Sequence, residues 1–202
     1  MSAYNKDKSS VRLKWKGPFP FKDFLLNPKY NDEFSCPGVY MWVIEHDRRK
    51  CIQYIGKSQS VFHRILDEFF LQIGCKYSIP KEFRSCRKDW HCNFNDKKIF
   101  DILLHKEKLL NLIGESFDYI MRNKLYIACQ ENEGNKFIGM VERNLLWQLQ
   151  PCRTKWGTMS KPKNVLSFIH VGAFNNDEIE KMAKDPIKEK YRKSFIKESR
   201  TV

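Results

Sequence analysis

Two short tripeptides with tyrosines stand on either side of a charged turn. The first is Gly-Val-Tyr at 38–40 and the second is Tyr-Ile-Gly at 54–56, so Tyr40 and Tyr54 occupy mirror-related positions. A β-strand has no need of such symmetry, because strand formation asks only for residues that fit a pleated surface. Either the symmetry is accidental or the two tyrosines face one site together, and we adopt the second interpretation.

Three charged residues have the chemistry to join such a site. Lys57 follows the second tripeptide, Arg64 comes seven residues later, and Glu142 lies in a distant amphipathic segment. An arginine offers a permanently charged planar fork to a phosphate, and one carboxylate can anchor a Mg²⁺ ion that keeps several waters. A tyrosine, with an ordinary pKa of about 10, can act as a base only if a neighbouring cation lowers that pKa.

The tripeptides lie in segments with the composition of strands. Residues 39–45 and 51–56 are rich in Val, Ile, Tyr and Trp, which predicts a β-hairpin. Pairing that is symmetric about Asp47 places Tyr40 opposite Tyr54 on one face of the sheet.

The charged candidates lie in predicted helices. A helix capped by Ser58 or Ser60 and stopped by Gly74 carries Arg64. Further along we predict a helix over 99–113, a strand over 117–130, a helix with Glu142 over 135–151 and another strand within 164–174.

Length and composition limit the classes of protein. At 202 residues with 42% hydrophobic residues, the chain can form one sizeable domain without covalent staples. No run approaches the roughly 20 apolar residues of a membrane span, and the N-terminus shows neither a secretory signal nor an anchor. Seven irregularly spaced cysteines favour buried thiols in a reducing, cytoplasmic compartment over a disulfide framework or over zinc ligation by Cys75, Cys86, His91 and Cys92.

The net charge of +13 favours an acidic partner. The excess of Lys and Arg lies in residues 1–30, 76–108 and 161–202, whereas 31–75 and 109–160 are close to neutral. This distribution fits a near-neutral catalytic centre surrounded by surfaces that attract phosphate. A merely soluble, lysine-rich surface is the alternative.

The order of these motifs resembles the GIY-YIG nuclease family. The tripeptide at 38–40 stands for the first half of the family's name, and the one at 54–56 matches the second half letter for letter. The segment "KSQSVFHR" resembles the one that leads to the family's catalytic arginine, here Arg64. The segment "FIGMVERNLLWQL" resembles the helix with the metal-binding glutamate, here Glu142. The resemblance covers about two fifths of the chain.

The resemblance implies an α+β fold with a small three-stranded antiparallel sheet flanked by helices. Residues 1–35 are then an N-terminal arm, 36–165 a catalytic domain with an insertion at about 76–116, and 166–202 a basic C-terminal extension. It also implies that Tyr40 activates water, that Tyr54 orients water or phosphate, that Glu142 binds Mg²⁺ or Mn²⁺, and that Lys57 either lowers the pKa of Tyr40 or is itself the base.

The chain departs from the family pattern at two auxiliary positions. Many members carry a histidine one turn after the arginine, where this chain has Asp67 and Glu68, while His63 precedes the arginine. The family's asparagine beyond the glutamate is matched by Asn164, 22 residues on. We retain His63 and Asn164 as auxiliary candidates only.

The resulting prediction is a Mg²⁺-dependent endonuclease for double-stranded DNA. Because the restriction enzymes of the family are similarly compact, a site-specific type II restriction enzyme is the first choice. Such an enzyme works as a homodimer or by sequential nicking and is accompanied by a cognate methyltransferase. The alternatives are a homing, phage or repair-type nicking nuclease and a catalytically silent DNA-binding module. The predicted DNA contacts are Lys14, Lys16, Arg84, Arg87, Lys88, Lys161 and Lys163.

Overall fold

A computed structural model describes residues 10–46, 49–74, 79–80, 90–91, 104–151 and 160–183. The strands are β1 (Ser10–Pro20), β2 (Gly38–His46), β3 (Arg49–Ser58), β4 (Ile79–Pro80), β5 (Trp90–His91), β6 (Asn123–Cys129) and β7 (Ser167–Gly172). The helices are α1 (Phe21–Leu26), α2 (Pro28–Phe34), α3 (Val61–Ile73), α4 (Lys106–Arg122), α5 (Asn135–Leu149) and α6 (Asn176–Ala183).

The main sheet has five strands in the order β3-β2-β6-β1-β7 and is mixed. Neighbours from β3 to β1 are antiparallel, while β7 runs parallel to β1. The predicted three-stranded antiparallel sheet is therefore wrong. Its three strands β3, β2 and β6 form one end of a larger sheet, which continues through β1 and β7.

The first of these added strands comes from the segment predicted as an arm. Val11, Leu13 and Trp15 alternate with exposed polar residues and are at most 5% exposed, which is the pattern of a strand with one buried face. Pro18 and Pro20 follow this alternation, and the sequence analysis interpreted them as marks of an irregular arm. The second added strand, β7, is a strand that the sequence predicted but assigned to the C-terminal extension.

Helices cover both faces of the sheet, so the α+β class is correct. The face that carries Tyr40 and Trp42, here called the tyrosine face, packs against α1, α2, α3 and α4. The opposite face carries Val39 and Met41 and packs against α5 and α6. Two helices from widely separated parts of the sequence, α3 and α5, thus flank the same hairpin.

The hairpin register differs from the predicted one. Tyr40 lies opposite Gly56, and Tyr54 lies opposite Trp42. His46 pairs with Arg49, and the pairing shifts by one residue at Gln53, between Trp42 and Val43. The turn and this β-bulge each displace the ladder, so the two tyrosines are diagonal neighbours on the tyrosine face.

The segment 117–130 is only partly a strand. Residues 117–122 complete α4, and β6 begins at Asn123, whose side-chain amide donates to the carbonyl oxygen of Tyr119 at 2.8 Å. Tyr119 and Ile120 are buried on one side of this helix. Their apolar character suits either element, so composition alone placed the boundary too early.

Gly56 leaves space that a neighbouring aromatic ring occupies. A Cβ atom at this position would lie 2.5 Å from both Cζ and Oη of Tyr40. We expect Gly56→Ala to lower the free energy of unfolding by about 1–3 kcal/mol, because a buried ring has little room to move. Urea unfolding followed by circular dichroism measures this change.

A matched control is Gly114→Ala in the middle of α4, where an added Cβ meets nothing within 4 Å. This change should stabilise the chain by about 0.5–1 kcal/mol because alanine favours the helix. Equal unfolding midpoints for Gly56→Ala and the unchanged chain would contradict the packing argument.

His170 on β7 makes stability depend on pH. Its Nδ1 accepts a hydrogen bond from Nε1 of Trp15 at 2.9 Å, and burial lowers its pKa from 6.5 to about 4. Folding thus favours the neutral imidazole. The contribution of His170 to the free energy of unfolding is fully present above pH 6.5 and is lost as the pH falls towards 4. We expect a loss of about 3 kcal/mol over this window.

Thermal unfolding between pH 4 and pH 7 tests this expectation against His170→Gln. Glutamine keeps an acceptor for Trp15 but has no proton to gain, so its stability should vary less with pH. Parallel curves for the two proteins would assign the acid sensitivity to other groups.

Within the described part of the chain, none of the helices combines the length and the apolar character needed to cross a membrane.

Candidate active site

Tyr40 and Tyr54 lie side by side on the tyrosine face. Their ring centroids are 6.0 Å apart. Both rings lie against Gly56, where a Cβ atom would be 2.5 Å from the Tyr40 ring and 2.9 Å from the Tyr54 ring. Gly38 has a similar role at the start of β2, where a Cβ would lie 2.6 Å from the carbonyl oxygen of Ala128 on β6. Both glycines of the tripeptides are therefore explained by close packing.

Arg64 approaches the tyrosines from α3. The helix begins at Val61, whose amide donates to the carbonyl oxygen of Cys36 at 3.1 Å, so α3 is tied to the residue that precedes the hairpin. Val61, Phe62 and Ile65 are buried against the tyrosine face. This packing directs Arg64 along the edge of the sheet, with 39% of its side chain exposed.

Glu68 is part of the candidate site, although the sequence analysis did not select it. It lies one helical turn after Arg64 and is only 1% exposed. Its Oε1 accepts a hydrogen bond from the Tyr54 hydroxyl at 2.9 Å and lies 3.1 Å from Nη2 of Arg64. The available signal was the i,i+4 spacing from an arginine on an otherwise apolar helix face.

This carboxylate sets the electrostatics of the site. Partial burial is the largest single influence on Arg64 and acts to lower its pKa, but Glu68, Tyr40 and Tyr54 together outweigh it, so the pKa lies above the usual value. Burial, followed by the charge of Glu68, raises the pKa of Tyr54. Arg64 is thus held charged and in place, and the Tyr54 phenol stays protonated.

Tyr40 is more deeply buried than its predicted role requires. Burial raises its pKa well above the ordinary value, and the charge of Glu68 adds to this effect although Arg64 opposes it. Within the described residues its hydroxyl has no hydrogen-bond partner of good geometry. The sequence analysis expected a cation to lower this pKa, but the net shift is upward, so Tyr40 is a neutral phenol in this conformation.

Lys57 and Glu142 belong to the opposite face. Lys57 extends from β3 towards α5, where its Nζ donates to Oδ1 of Asn135 at 3.1 Å. A Cβ on Gly139 would lie 3.1 Å from the same Nζ, so the glycine makes room for the lysine. Glu142 lies one turn further along α5 from Gly139, which places its carboxylate beside Lys57.

The charges of both helices meet at Glu142. Burial raises the pKa of Glu142, and the positive charges of Lys57, Arg143 and Arg64 oppose this effect, while Glu68 adds to it. Arg64 and Glu68 therefore lie within electrostatic range of Glu142, although they come from the helix on the other face. Tyr40, Tyr54 and Arg64 thus lie together on the tyrosine face, while Lys57 and Glu142 lie on the other side of the hairpin within electrostatic range of Arg64.

The raised pKa of Glu142 predicts that this residue costs stability. The folded protein retains the proton between pH 4.5, the ordinary value, and the higher folded pKa. Stability is therefore lost as the pH rises through this window. We expect Glu142→Gln to melt a few degrees above the unchanged chain at pH 8, with the difference narrowing towards pH 4. Equal melting temperatures of the two proteins at pH 8 would contradict the prediction that the charged Glu142 side chain destabilises the fold.

The residues around Glu142 suit Mg²⁺ better than a metal with a full protein cage. In the described part of the chain, no group of three or more His, Cys, Asp and Glu side chains could hold a metal ion. A single partly buried carboxylate with a raised pKa is nevertheless suited to a hard cation, because the cation offsets the cost of burying the charge. Mg²⁺ commonly binds through one or two carboxylates and keeps its waters.

The auxiliary candidates His63 and Asn164 have local partners in the structure. Nδ1 of His63 lies 2.7 Å from Oγ of Ser60 on an exposed part of α3. Asn164 is exposed, and its backbone carbonyl accepts a hydrogen bond from Asn144 on α5 at 3.1 Å. Asn144 is fully buried and also accepts from the amide of Leu166, so it fastens this segment to the helix that carries Glu142.

The predicted DNA contacts have different surroundings. Lys14 is exposed on β1, and Lys161 and Lys163 are exposed beside the segment that Asn144 fastens. Lys16 forms an ion pair with Glu33 at 2.8 Å. The remaining three, Arg84, Arg87 and Lys88, lie outside the described residues, as does most of the predicted insertion.

The comparisons with known proteins leave the site to be judged on its own geometry: the chain matches no protein-family model, no curated protein and no solved structure.

Proposed function

We propose that the chain is a Mg²⁺-dependent endonuclease that hydrolyses phosphodiester bonds in double-stranded DNA, as a site-specific type II restriction enzyme. The observation that carries this proposal is that Arg64 and Glu142, on helices that pack against opposite faces of the sheet, lie within electrostatic range of each other. A guanidinium for the phosphate and a carboxylate for a metal are the two groups that phosphodiester hydrolysis needs most.

Arg64 is suited to bind the scissile phosphate. Its guanidinium is partly exposed, and Glu68 fixes one edge of it at 3.1 Å. A planar fork held in this way can donate two parallel hydrogen bonds to phosphate oxygens and balance the charge that grows on them. Tyr54, which shares Glu68 with Arg64, would orient the same phosphate.

Glu142 is the residue that would hold Mg²⁺. The bound ion would supply Lewis-acid polarisation of the phosphate and a more acidic water. Lys57 beside this carboxylate balances the charge of Glu142 and offers a second contact for DNA phosphate.

Tyr40 is a poor general base in this conformation, and Lys57 could take that role only in its neutral form. A neutral, buried phenol cannot remove a proton from water near neutral pH, because its pKa is raised. Lys57 extends towards the helix that carries Glu142, the residue that would hold the metal. Tyr40 would then pack against Gly56 at the floor of the site and could donate a hydrogen bond there.

The charge of the surface is compatible with DNA. Lys14, Lys161 and Lys163 are exposed, and the net charge of the chain is +13. If both strands of a symmetric target are cut, one centre in each chain requires two copies or two sequential nicks. A restriction enzyme would also require a methyltransferase that protects the same sequence in the host.

A second candidate is a DNA-binding module without catalysis. The observation that favours it is the buried Tyr40 hydroxyl, which leaves the predicted water-activating residue protonated. This module would use the same basic surfaces and would bind DNA whether or not Mg²⁺ is present.

Incubation of the purified chain with supercoiled plasmid and with phage DNA tests these proposals. We expect discrete fragments in Mg²⁺ or Mn²⁺ and none in EDTA. Nicked circles alone would indicate a homing, phage or repair-type nickase instead. Intact DNA that is nevertheless retarded in a gel-shift assay would support the binding module and reject the enzyme.

A further inference from the structure

Two thiols outside the candidate active site lie in contact. Cys36 is located between α2 and β2, and Cys129 is the last residue of β6, 93 positions later. Their Sγ atoms are 2.8 Å apart, and both cysteines are reduced and half-buried. A disulfide needs the sulfurs at about 2.05 Å, so a small movement of two side chains would suffice.

The backbone holds the two cysteines in this arrangement. Gly38 pairs with Cys129 in the ladder, and the amide of Gln130 donates to the carbonyl oxygen of Pro37 at 2.7 Å. The carbonyl oxygen of Cys36 accepts from the first amide of α3. Both chain segments are therefore fixed beside each other before any bond forms between the sulfurs.

The surroundings favour covalent chemistry over metal binding. In the described residues, no third His, Cys, Asp or Glu joins the pair to complete a metal site. The positive charge of Lys16 acts to lower the pKa of Cys129. Burial nevertheless raises the pKa of Cys129, with Cys36 adding to that effect.

We propose that Cys36 and Cys129 form a redox modification site that reacts with small disulfides, such as oxidised glutathione, to give an intramolecular disulfide. Cys36, which lies outside the strands, attacks one sulfur of the oxidant as a thiolate, forms a mixed disulfide and releases one glutathione thiolate. Cys129 then attacks the Cys36 sulfur and releases the second. The two protein thiols are oxidised by two electrons, and their two protons pass through solvent to the two glutathione thiolates.

The bond would fasten β2 to β6 immediately before the first tripeptide. Because the bond closes a loop of 93 positions, it lowers the conformational entropy of the unfolded chain and so stabilises the folded one. We expect the melting temperature to rise on the order of 10 °C on oxidation and to return after dithiothreitol.

Peptide mapping of the unchanged, full-length chain tests the site directly. The folded protein is treated with oxidised glutathione, free thiols are alkylated, and the digest is analysed by mass spectrometry. We expect the peptide that links Cys36 to Cys129 as the main disulfide product, lost again after dithiothreitol. Alkylation of both cysteines, or single glutathione adducts without the link, would overturn the proposal.

Matched variants locate the effect on melting. Cys36→Ser should lose the link and the reversible rise in melting temperature, whereas Cys51→Ser, which removes another half-buried thiol, should keep both. Because the peptide map is made on the unchanged chain, the test holds even if a variant folds poorly. DNA cleavage is not part of the measurement, so this proposal can fail or succeed independently of the nuclease.

Discussion

Replacement of Glu142 by glutamine is expected to reduce Mg²⁺-dependent DNA cleavage about a thousandfold or more. The amide keeps the size of the side chain but removes the charge that attracts a divalent cation. Cleavage of a labelled duplex under single-turnover conditions measures the rate. DNA binding should remain within about threefold, because the proposed phosphate contacts of Lys57 and Arg64 are unchanged.

Two controls separate metal binding from damage to the fold. Glu115→Gln changes an exposed glutamate on α4 and should leave cleavage unchanged. Mg²⁺ should raise the melting temperature of the unchanged chain but not that of Glu142→Gln, since a cation that binds only the folded state stabilises it. Full cleavage by Glu142→Gln would remove this residue from the mechanism.

Replacement of Arg64 by lysine should lower the cleavage rate about 100-fold or more. Lysine retains the positive charge, but it cannot present a planar fork to the phosphate while also contacting Glu68. The loss should appear mainly in kcat, because the charge that grows in the transition state is affected more than initial binding. Arg12→Lys on the exposed side of β1 is the matched control and should have no effect.

Glu68 should act through Arg64, as a positioning residue. Glu68→Gln keeps an acceptor for the Tyr54 hydroxyl but gives up the charge that holds the guanidinium. We expect a loss of about tenfold in kcat. The double variant with Arg64→Lys should be no slower than Arg64→Lys alone, because effects within one interacting pair do not add. Additive losses would mean that Glu68 has a separate role.

Local sequence was sufficient for the elements nearest the site. The strand composition of β2 and β3, the apolar positions of α3 and the helical periodicity of α5 each predicted their element, because each is dominated by its own packing face. Pairing symmetric about Asp47 also predicted that Tyr40 and Tyr54 share a face, and they do, although they are diagonal neighbours and not directly opposite each other.

Long-range pairing was beyond local sequence. The alternation in β1 indicates a strand with one buried face, but nothing around it indicates that its partners are β6 and β7, because strand order is decided by which apolar faces meet after folding. The register error at Gln53 has a similar origin, since a single bulged residue changes every partner beyond it.

The sequence by itself determined the chemical types available to this protein, namely two tyrosines, a lysine, an arginine and a glutamate in a strongly basic chain. Only the tertiary structure decided how they combine. Burial of Tyr40 raises the pKa of its phenol, and the buried Glu68 holds Arg64 by an ion pair. Helices on both faces of the sheet place Arg64 and Glu142 within electrostatic range of each other. Such effects depend on solvent exclusion and on distances between residues far apart in the chain, and neither property is present in the order of the amino acids.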